Sequence, residues 1–192
     1  MANVKAAIDY VMRDEDRKLS GIITNYPDDP GGVTRFGQAK RWHPALAQQG
    51  FYDCEFPDAK TAEEQNPAIP VDRAIVMAES SYETNYAAAL YLERIASQAI
   101  ATALLSFAVV EGTYQAVRQL QKALCSIGTH VDVDGVPGPS TLAAENAADA
   151  PKLLTAWIAL EDNYFAGLGK PVFLKGWENR AAELKSLVGG IA

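Results

Sequence analysis

Residues 14–37 read DEDRKLSGIITNYPDDPGGVTRFG, from Asp14 to Gly37. Three carboxylates, Asp14, Glu15 and Asp16, close a stretch in which Val4, Ile8, Val11 and Met12 recur at helical spacing. An amphipathic helix is therefore predicted over residues 3 to about 18, with Gly21 as its stop. Ile22, Ile23 and Thr24 are β-branched and predict a short strand. Tyr26-Pro27-Asp28-Asp29-Pro30-Gly31-Gly32 is dense turn chemistry. A helix, a bend rich in carboxylates and glycines, and then Thr34 and Phe36-Gly37 make this the segment on which the reading turns.

Outward from it the pattern is helical. A short helix broken near Pro44 is expected between Gln38 and Gln49, and a long acidic loop over residues 51–72, which hold three prolines, six acidic residues and one lysine. Helices are expected over Tyr82–Ser97, Gln98–Glu111 and Tyr114–Ile127, with breaks at Gly112 and Gly128. Two more follow, from Pro151 to Gly167, with Pro151 in the first turn, and from Val172 to Leu187. The fold class predicted is mainly α, with a short β-hairpin or loop after the first helix.

Composition excludes several functions. The chain has 192 residues, 48% hydrophobic and 21% charged, which suffices for a real core. A net charge of −7 argues against a non-specific nucleic-acid binder, so no nucleic-acid partner is expected. The N-terminus lacks an apolar run of signal-peptide length, and Ala99–Val110 reads as a buried helix, so no membrane span is expected. No signal peptide is therefore expected. Cys54 and Cys125 have no metal-ligand spacing and read as buried free thiols. His43 and His130 sit in no zinc or triad motif, and His43 reads as a surface or supporting group. Asp132-Val133-Asp134-Gly135 resembles the start of a calcium loop. The twelfth position is Ala143, where such a loop needs glutamate, so neither metal nor cofactor is expected.

Glycoside hydrolysis needs one carboxylic acid that keeps a proton near neutral pH and a second polar group that activates water or steadies the sugar cation. An acid on a rigid helix end, facing carboxylates on a turn, can supply both. Glycines there let the backbone approach a sugar closely. The same spacing also describes a solvated surface: Asp29 as a turn cap, Thr34 as a helix N-cap, Asp28 as a hydrated side chain, Tyr26, Phe36 and Trp42 as packing.

Resemblance adds to that reading. Pro27, Asp29, Pro30, Gly31, Gly32, Thr34 and Gly37 stand as the PxDPGGxTxxG pattern, which resembles the signature of the glycoside hydrolase 108 family, N-acetylmuramidases of phages and bacterial secretion systems. The family carries a helix-borne glutamate in an EGGY motif shortly before that turn. Here the motif is absent and Ser20 stands at the ungapped position. Leu19-Ser20-Gly21 fits an ED…LSG form, which carries the glutamate over to Glu15, with Asp14 and Asp16 as competitors. The later half is similar to the associated peptidoglycan-binding domain through Phe107–Gly112, Ala116–Leu124, Val133-Asp134-Gly135, Gly138-Pro139, Thr141-Leu142 and Gly176–Arg180.

The resemblance implies a lysozyme-like helical fold, with a muramidase-like catalytic segment at residues 1–95 and a peptidoglycan-binding-like segment at 96–192. It implies cleavage of the β-1,4 bond between N-acetylmuramic acid and N-acetylglucosamine. Glu15 would be the acid, Asp29 and Thr34 would position water, and Tyr26, Gly31, Gly32, Phe36 and Trp42 would contact sugar. The protein would be made in the bacterial cytoplasm without a signal peptide and act in the periplasm or on the cell wall after release, its partner being peptidoglycan glycan strands, reached as a bacteriolytic phage endolysin through a holin, or through a secretion system or a virion. A non-catalytic wall-binding or tail-assembly protein and a lytic transglycosylase remain the alternatives. Trp177, Asn179 and Arg180 read as locking the last helix onto the core, with peptidoglycan binding as the alternative.

Overall fold

The computed structural model describes residues 1–27 and 29–189; Asp28 lies outside them. The chain divides into two compact units, Ile8–Thr84 and Met1–Ala7 with Asn85–Ala192. Helices dominate both, and the only paired strands among the described residues form one small hairpin, as the fold class predicts.

Helix α1 (Val4–Glu15) supplies the opening residues of the unit Ile8–Thr84 from Ile8 onward, and at its start the Asn3 side chain accepts from Ala6 N at 3.1 Å. Ala7, Ile8, Val11 and Met12 form its buried stripe. The helix stops at Glu15, short of the predicted Lys18, because the charged run beyond has no apolar face to bury. Instead the Asp16 carboxylate folds forward and accepts from Ser20 Oγ at 3.0 Å and from Gly21 N at 2.8 Å. Leu19 and Gly21 take left-handed φ of 49° and 68° in that bend. Ile22–Thr24 makes no ladder; one bridge pairs Thr24 with Thr34.

Strands β1 (Thr34–Arg35) and β2 (Gln38–Ala39) are antiparallel, with Thr34 opposite Ala39 and Arg35 opposite Gln38. Phe36 and Gly37 link them with φ of 50° and 73°, the two positive values that a type I′ hairpin turn requires. Gln38 thus stands in a strand rather than at the start of a helix, and the helix expected to Gln49 shrinks to α2 (Pro44–Gln48). His43, at its N-terminal boundary, is buried.

The supposed loop over 51–72 is more ordered than its composition suggests. It holds α3 (Ala62–Gln65), capped by Thr61, and a bridge between Cys54 and Pro67. Gln65 pairs with Ile23 in both directions, accepting from its N at 2.8 Å and donating to its O at 2.7 Å. Arg35 is 1% exposed; its guanidinium donates to the carbonyls of Gly21 (2.9 Å), Phe51 (3.0 Å) and Ile69 (3.0 Å). Burial pushes its pKa down, while the fork geometry of arginine lets one side chain hold three backbone segments. Helix α4 (Val71–Tyr82) begins before the helix predicted from Tyr82. Its buried stripe is Ala74, Ala78, Ser81 and Tyr82, and small residues hide the periodicity. Beyond Tyr82 the predicted helix is only a π turn at Glu83–Ala87 and a 3-10 turn at Leu92–Arg94.

The other unit is built around α5 (Gln98–Glu111), whose residues Ala99–Ala108 are all buried. Apolar side chains on every side make it a central helix. Helices α6 (Thr113–Ser126), α7 (Pro139–Ala147), α8 (Ala150–Gly167) and α9 (Pro171–Gly189) complete the unit, with α6 and α8 packed on α5 and on each other. Helix α7 escaped the sequence reading because its nine residues are mostly small and polar. The Val133–Gly138 turn is held by buried Gln121, which donates to Asp134 Oδ1 (2.8 Å) and Thr141 Oγ1 (3.1 Å) and accepts from Gly135 N (2.8 Å). Trp177 stacks on Phe165 at 4.7 Å, and Arg180 donates to Ser106 Oγ at 2.8 Å. Both residues lock α9, as expected. Cys54 and Cys125 are free thiols, half-buried rather than buried.

Candidate active site

A groove of about 430 Å³ lies in the unit Ile8–Thr84. Its walls bring together Glu15 from the end of α1, Tyr26 and Asp29 from the bend, and Thr34, Phe36 and Gly37 from the hairpin. Asp16, Arg17, Ser20, Ile22 and Thr24 complete it. Segments from both sides of the PDDPGG bend therefore meet at one cleft of ligand size.

Glu15 is half-buried, and its side chain lies directly over Gly37. A Cβ on Gly37 would stand 2.7 Å from the Glu15 Cδ and 2.7 Å from the Tyr82 hydroxyl oxygen. Tyr82 donates to the Phe36 carbonyl at 2.8 Å, so α4 fixes the hairpin tip on which Glu15 rests. Beside it Gln38 donates to Ala78 O at 2.9 Å and accepts from Ser81 Oγ at 2.5 Å. These bonds hold Phe36, a buried aromatic residue, in a left-handed conformation that bulky side chains rarely adopt.

The competing carboxylates differ from Glu15. Asp16 lines the groove, but its oxygens are engaged in the turn, where they accept from Ser20 Oγ and Gly21 N. Asp14 does not line the groove. Asp29 accepts from Gly31 N at 2.8 Å through Oδ1, a turn-closing bond, and its other oxygen has no hydrogen bond among the described residues. Thr34 is a strand residue rather than an N-cap. Its hydroxyl donates to Gly32 O at 3.1 Å, which leaves its lone pairs to accept from a water.

Gly31, Gly32 and Trp42 are not in the groove wall. Gly31 packs against the hairpin, where an added Cβ would meet the Ala39 Cβ at 2.6 Å. Trp42 is 63% exposed and lies under the Arg41 guanidinium, 5.1 Å from the ring centre, while Arg41 donates to Pro30 O. This pair braces the bend from outside. Tyr26 is 66% exposed at the groove, and Phe36 is 3% exposed. Sequence reasoning missed Tyr82, Gln38 and Ser81, which stand in or beside elements it placed wrongly. It also passed over Arg17 and Thr24, although both lie inside the quoted segment. Among the described residues no group of three His, Cys, Asp or Glu side chains could hold a metal ion.

Residues 8–112, more than half of the chain, match the family described as Glycosyl hydrolase 108. The chain belongs to the glycosyl hydrolase 108 family. Residues 115–182 match a second description, Predicted Peptidoglycan domain, in the order that the motifs implied. The solved structure of Brucella abortus SagA superposes on this family member with a TM-score of 0.71 at 26% identity, covering 97% of this chain and 94% of that one. No curated protein matches it. The protein is a glycoside hydrolase, its substrate is peptidoglycan, and the lysozyme-like helical fold agrees with the SagA likeness. Among the described residues no helix is long and apolar enough to cross a membrane.

Proposed function

We propose that the protein is an N-acetylmuramidase that hydrolyses the β-1,4 bond between N-acetylmuramic acid and N-acetylglucosamine. Residues 1–95 would carry catalysis and residues 96–192 would hold the wall. The observation that carries this reading is that Glu15, Asp29 and Thr34 line one groove, with Glu15 seated on Gly37. Glu15 gives its proton to the departing glycosidic oxygen as the bond to the anomeric carbon breaks. A water donates hydrogen bonds to Asp29 and to Thr34 Oγ. It attacks the same carbon from the opposite face, and Asp29 takes its proton. Tyr26 offers ring surface to the sugar, and the buried Phe36 backs the groove wall. Gly31, Gly32 and Trp42 act through the shape of the bend. Delivery to the wall, by holin, secretion system or virion, belongs to the same proposal.

Mass spectrometry of digested peptidoglycan tests the bond and the reaction together. Reducing muramic ends are expected, whereas anhydro-muramic ends would replace this reading with a lytic transglycosylase. Glu15→Gln is expected to fold normally and to lower turnover by several orders of magnitude. Wall hydrolysis by that variant at the native rate rules out Glu15 as the acid. With the water held by Asp29, the first-formed reducing end should carry the inverted anomer, which proton NMR reads directly.

A further inference from the structure

A second cavity, of about 580 Å³, lies in the other unit, where the end of α7 meets the starts of α5 and α8 and the end of α9. Much of its wall is methyl groups, from Ala96, Ala99, Ala148 and Ala150. The polar side chains that line it are spent on the protein itself. Ser97 accepts from Ile100 N, and Gln98 bonds Asn3 and Thr102. Asn146 joins Ala96 N to Arg94 O, and Ser186 donates to Glu183 O. Glu145 is the exception. It is 4% exposed and lines the cavity, yet neither carboxyl oxygen has a hydrogen-bond partner among the described residues.

A buried carboxyl without partners costs stability and calls for a function. Burial pushes the Glu145 carboxyl up to about 8, so at neutral pH it is mainly the neutral acid, with one donor and one acceptor. Among the described residues no lysine or arginine lines the cavity to favour an anion, and the starts of α5 and α8 are already capped by the Ser97 hydroxyl and the Asp149 carboxylate. A neutral ligand with a carbonyl acceptor, an N–H donor and a small alkyl group fits all three features.

We propose that this cavity is a subsite for a methyl-bearing amide of the cell wall, hydrogen-bonded to the Glu145 carboxyl. Glu145 lies within the residues matching the peptidoglycan domain, so the inference rests on peptidoglycan as substrate and extends it to a second contact. Two wall groups carry this chemistry: the N-acetyl group of the glycan and the D-alanyl amide of the stem peptide.

The test is an NMR titration of the full chain carrying Glu15→Gln, with tri-N-acetylchitotriose in one arm and N-acetyl-D-alanyl-D-alanine in the other. The methyl resonances of Ala99, Ala148 and Ala150 are the readout. At least one probe should shift them, and the arm that does so names the source. Adding Glu145→Leu should weaken binding at least 10-fold and raise the melting temperature. Glu145→Gln, which keeps a donor and an acceptor, should stay within about 3-fold. Ala150→Leu, which fills the cavity and leaves the carboxyl in place, should also abolish the shifts, and it covers the case in which Glu145→Leu fails to fold. Silence of both probes, native binding by the leucine variants, or equal loss in the glutamine and leucine variants at Glu145 overturns the proposal. Wild-type hydrolysis without methyl shifts sinks this subsite alone. Methyl shifts without wild-type hydrolysis sink the catalytic reading alone.

Discussion

Gly37→Ala places a methyl group where Glu15 now rests. Two effects combine. The first is conformational: Gly37 has φ of 73°, and a left-handed backbone costs a residue with a Cβ about 1–2 kcal/mol. The second is steric: the new carbon would meet the Glu15 Cγ first and then the Glu15 Cδ and the Tyr82 hydroxyl, the latter two at 2.7 Å, against about 3.4 Å for ordinary contact, so the Glu15 side chain must retreat by roughly 1 Å. A displacement near 1 Å at a reacting group costs on the order of 100-fold in rate. Gly50→Ala separates the two effects. Gly50 has φ of 76°, but its Cβ would meet only Asp53 Oδ2 at 3.4 Å, and Gly50 lies outside the groove. Both variants should lose about 1–2 kcal/mol to strain in urea unfolding, and Gly37→Ala about 1–3 kcal/mol more as the Tyr82 hydroxyl is pushed off Phe36 O. Only Gly37→Ala should lose about 100-fold in the turnover of purified peptidoglycan, measured as reducing ends released by folded protein. Native turnover in Gly37→Ala, or equal losses in both variants, would show that Glu15 does not depend on this seat.

Tyr82→Phe removes the hydroxyl that holds Phe36 O and leaves a buried carbonyl unpaired. It should cost about 1–3 kcal/mol and lower turnover more than it raises KM, in steady-state kinetics at a temperature where the variant is folded. Gln121→Leu strips the Val133–Gly138 turn of its anchors and should destabilise by about 2–4 kcal/mol in urea melts, with the groove residues unchanged. Stability should also depend on pH with a defined sign. Burial raises Glu145 from 4.5 to about 8, so between those values the native state keeps a proton that the unfolded chain releases, and stability falls as the pH rises. The full effect is at most about 5 kcal/mol above pH 8. Urea melts of the native protein and Glu145→Gln at pH 5 and pH 9 should therefore diverge at pH 9, and parallel curves would refute the burial argument. Glu111 and Glu161, pushed up together by burial with Glu161 accepting from Trp157 Nε1 at 2.8 Å, add a fall of the same sign to both proteins and cancel in the comparison.

Much of the helical architecture is legible in the sequence because it depends on local pattern. Gln98–Glu111 has an apolar run interrupted by Thr102 and Ser106 and bounded by Ser97 and Gly112, and its limits emerge to the residue. The acidic stretch before Val71 is read as loop because its order comes from distant partners. Gln65 binds Ile23 and Arg35 binds Phe51 and Ile69, and no local periodicity records such bonds. Helix α4 is hidden for a related reason: Ala74, Ala78 and Ser81 bury themselves through smallness, not hydrophobicity. The groove is partly legible. Glu15, Asp29 and Thr34 stand near one another in sequence and share it, and the bend's chemistry marks them. What supports them is not, since Tyr82 reaches Phe36 across 46 positions.

Arg35 leaves this half of the molecule with an uneven resilience. Three carbonyls from otherwise weakly tied strands of chain converge on one guanidinium, as three ropes on a single peg. Lysine has the charge but not the fork, so no conservative exchange can inherit the post. Amide hydrogens around Gly21, Phe51 and Ile69 should then exchange with solvent in concert, since slack in any one rope is slack in all.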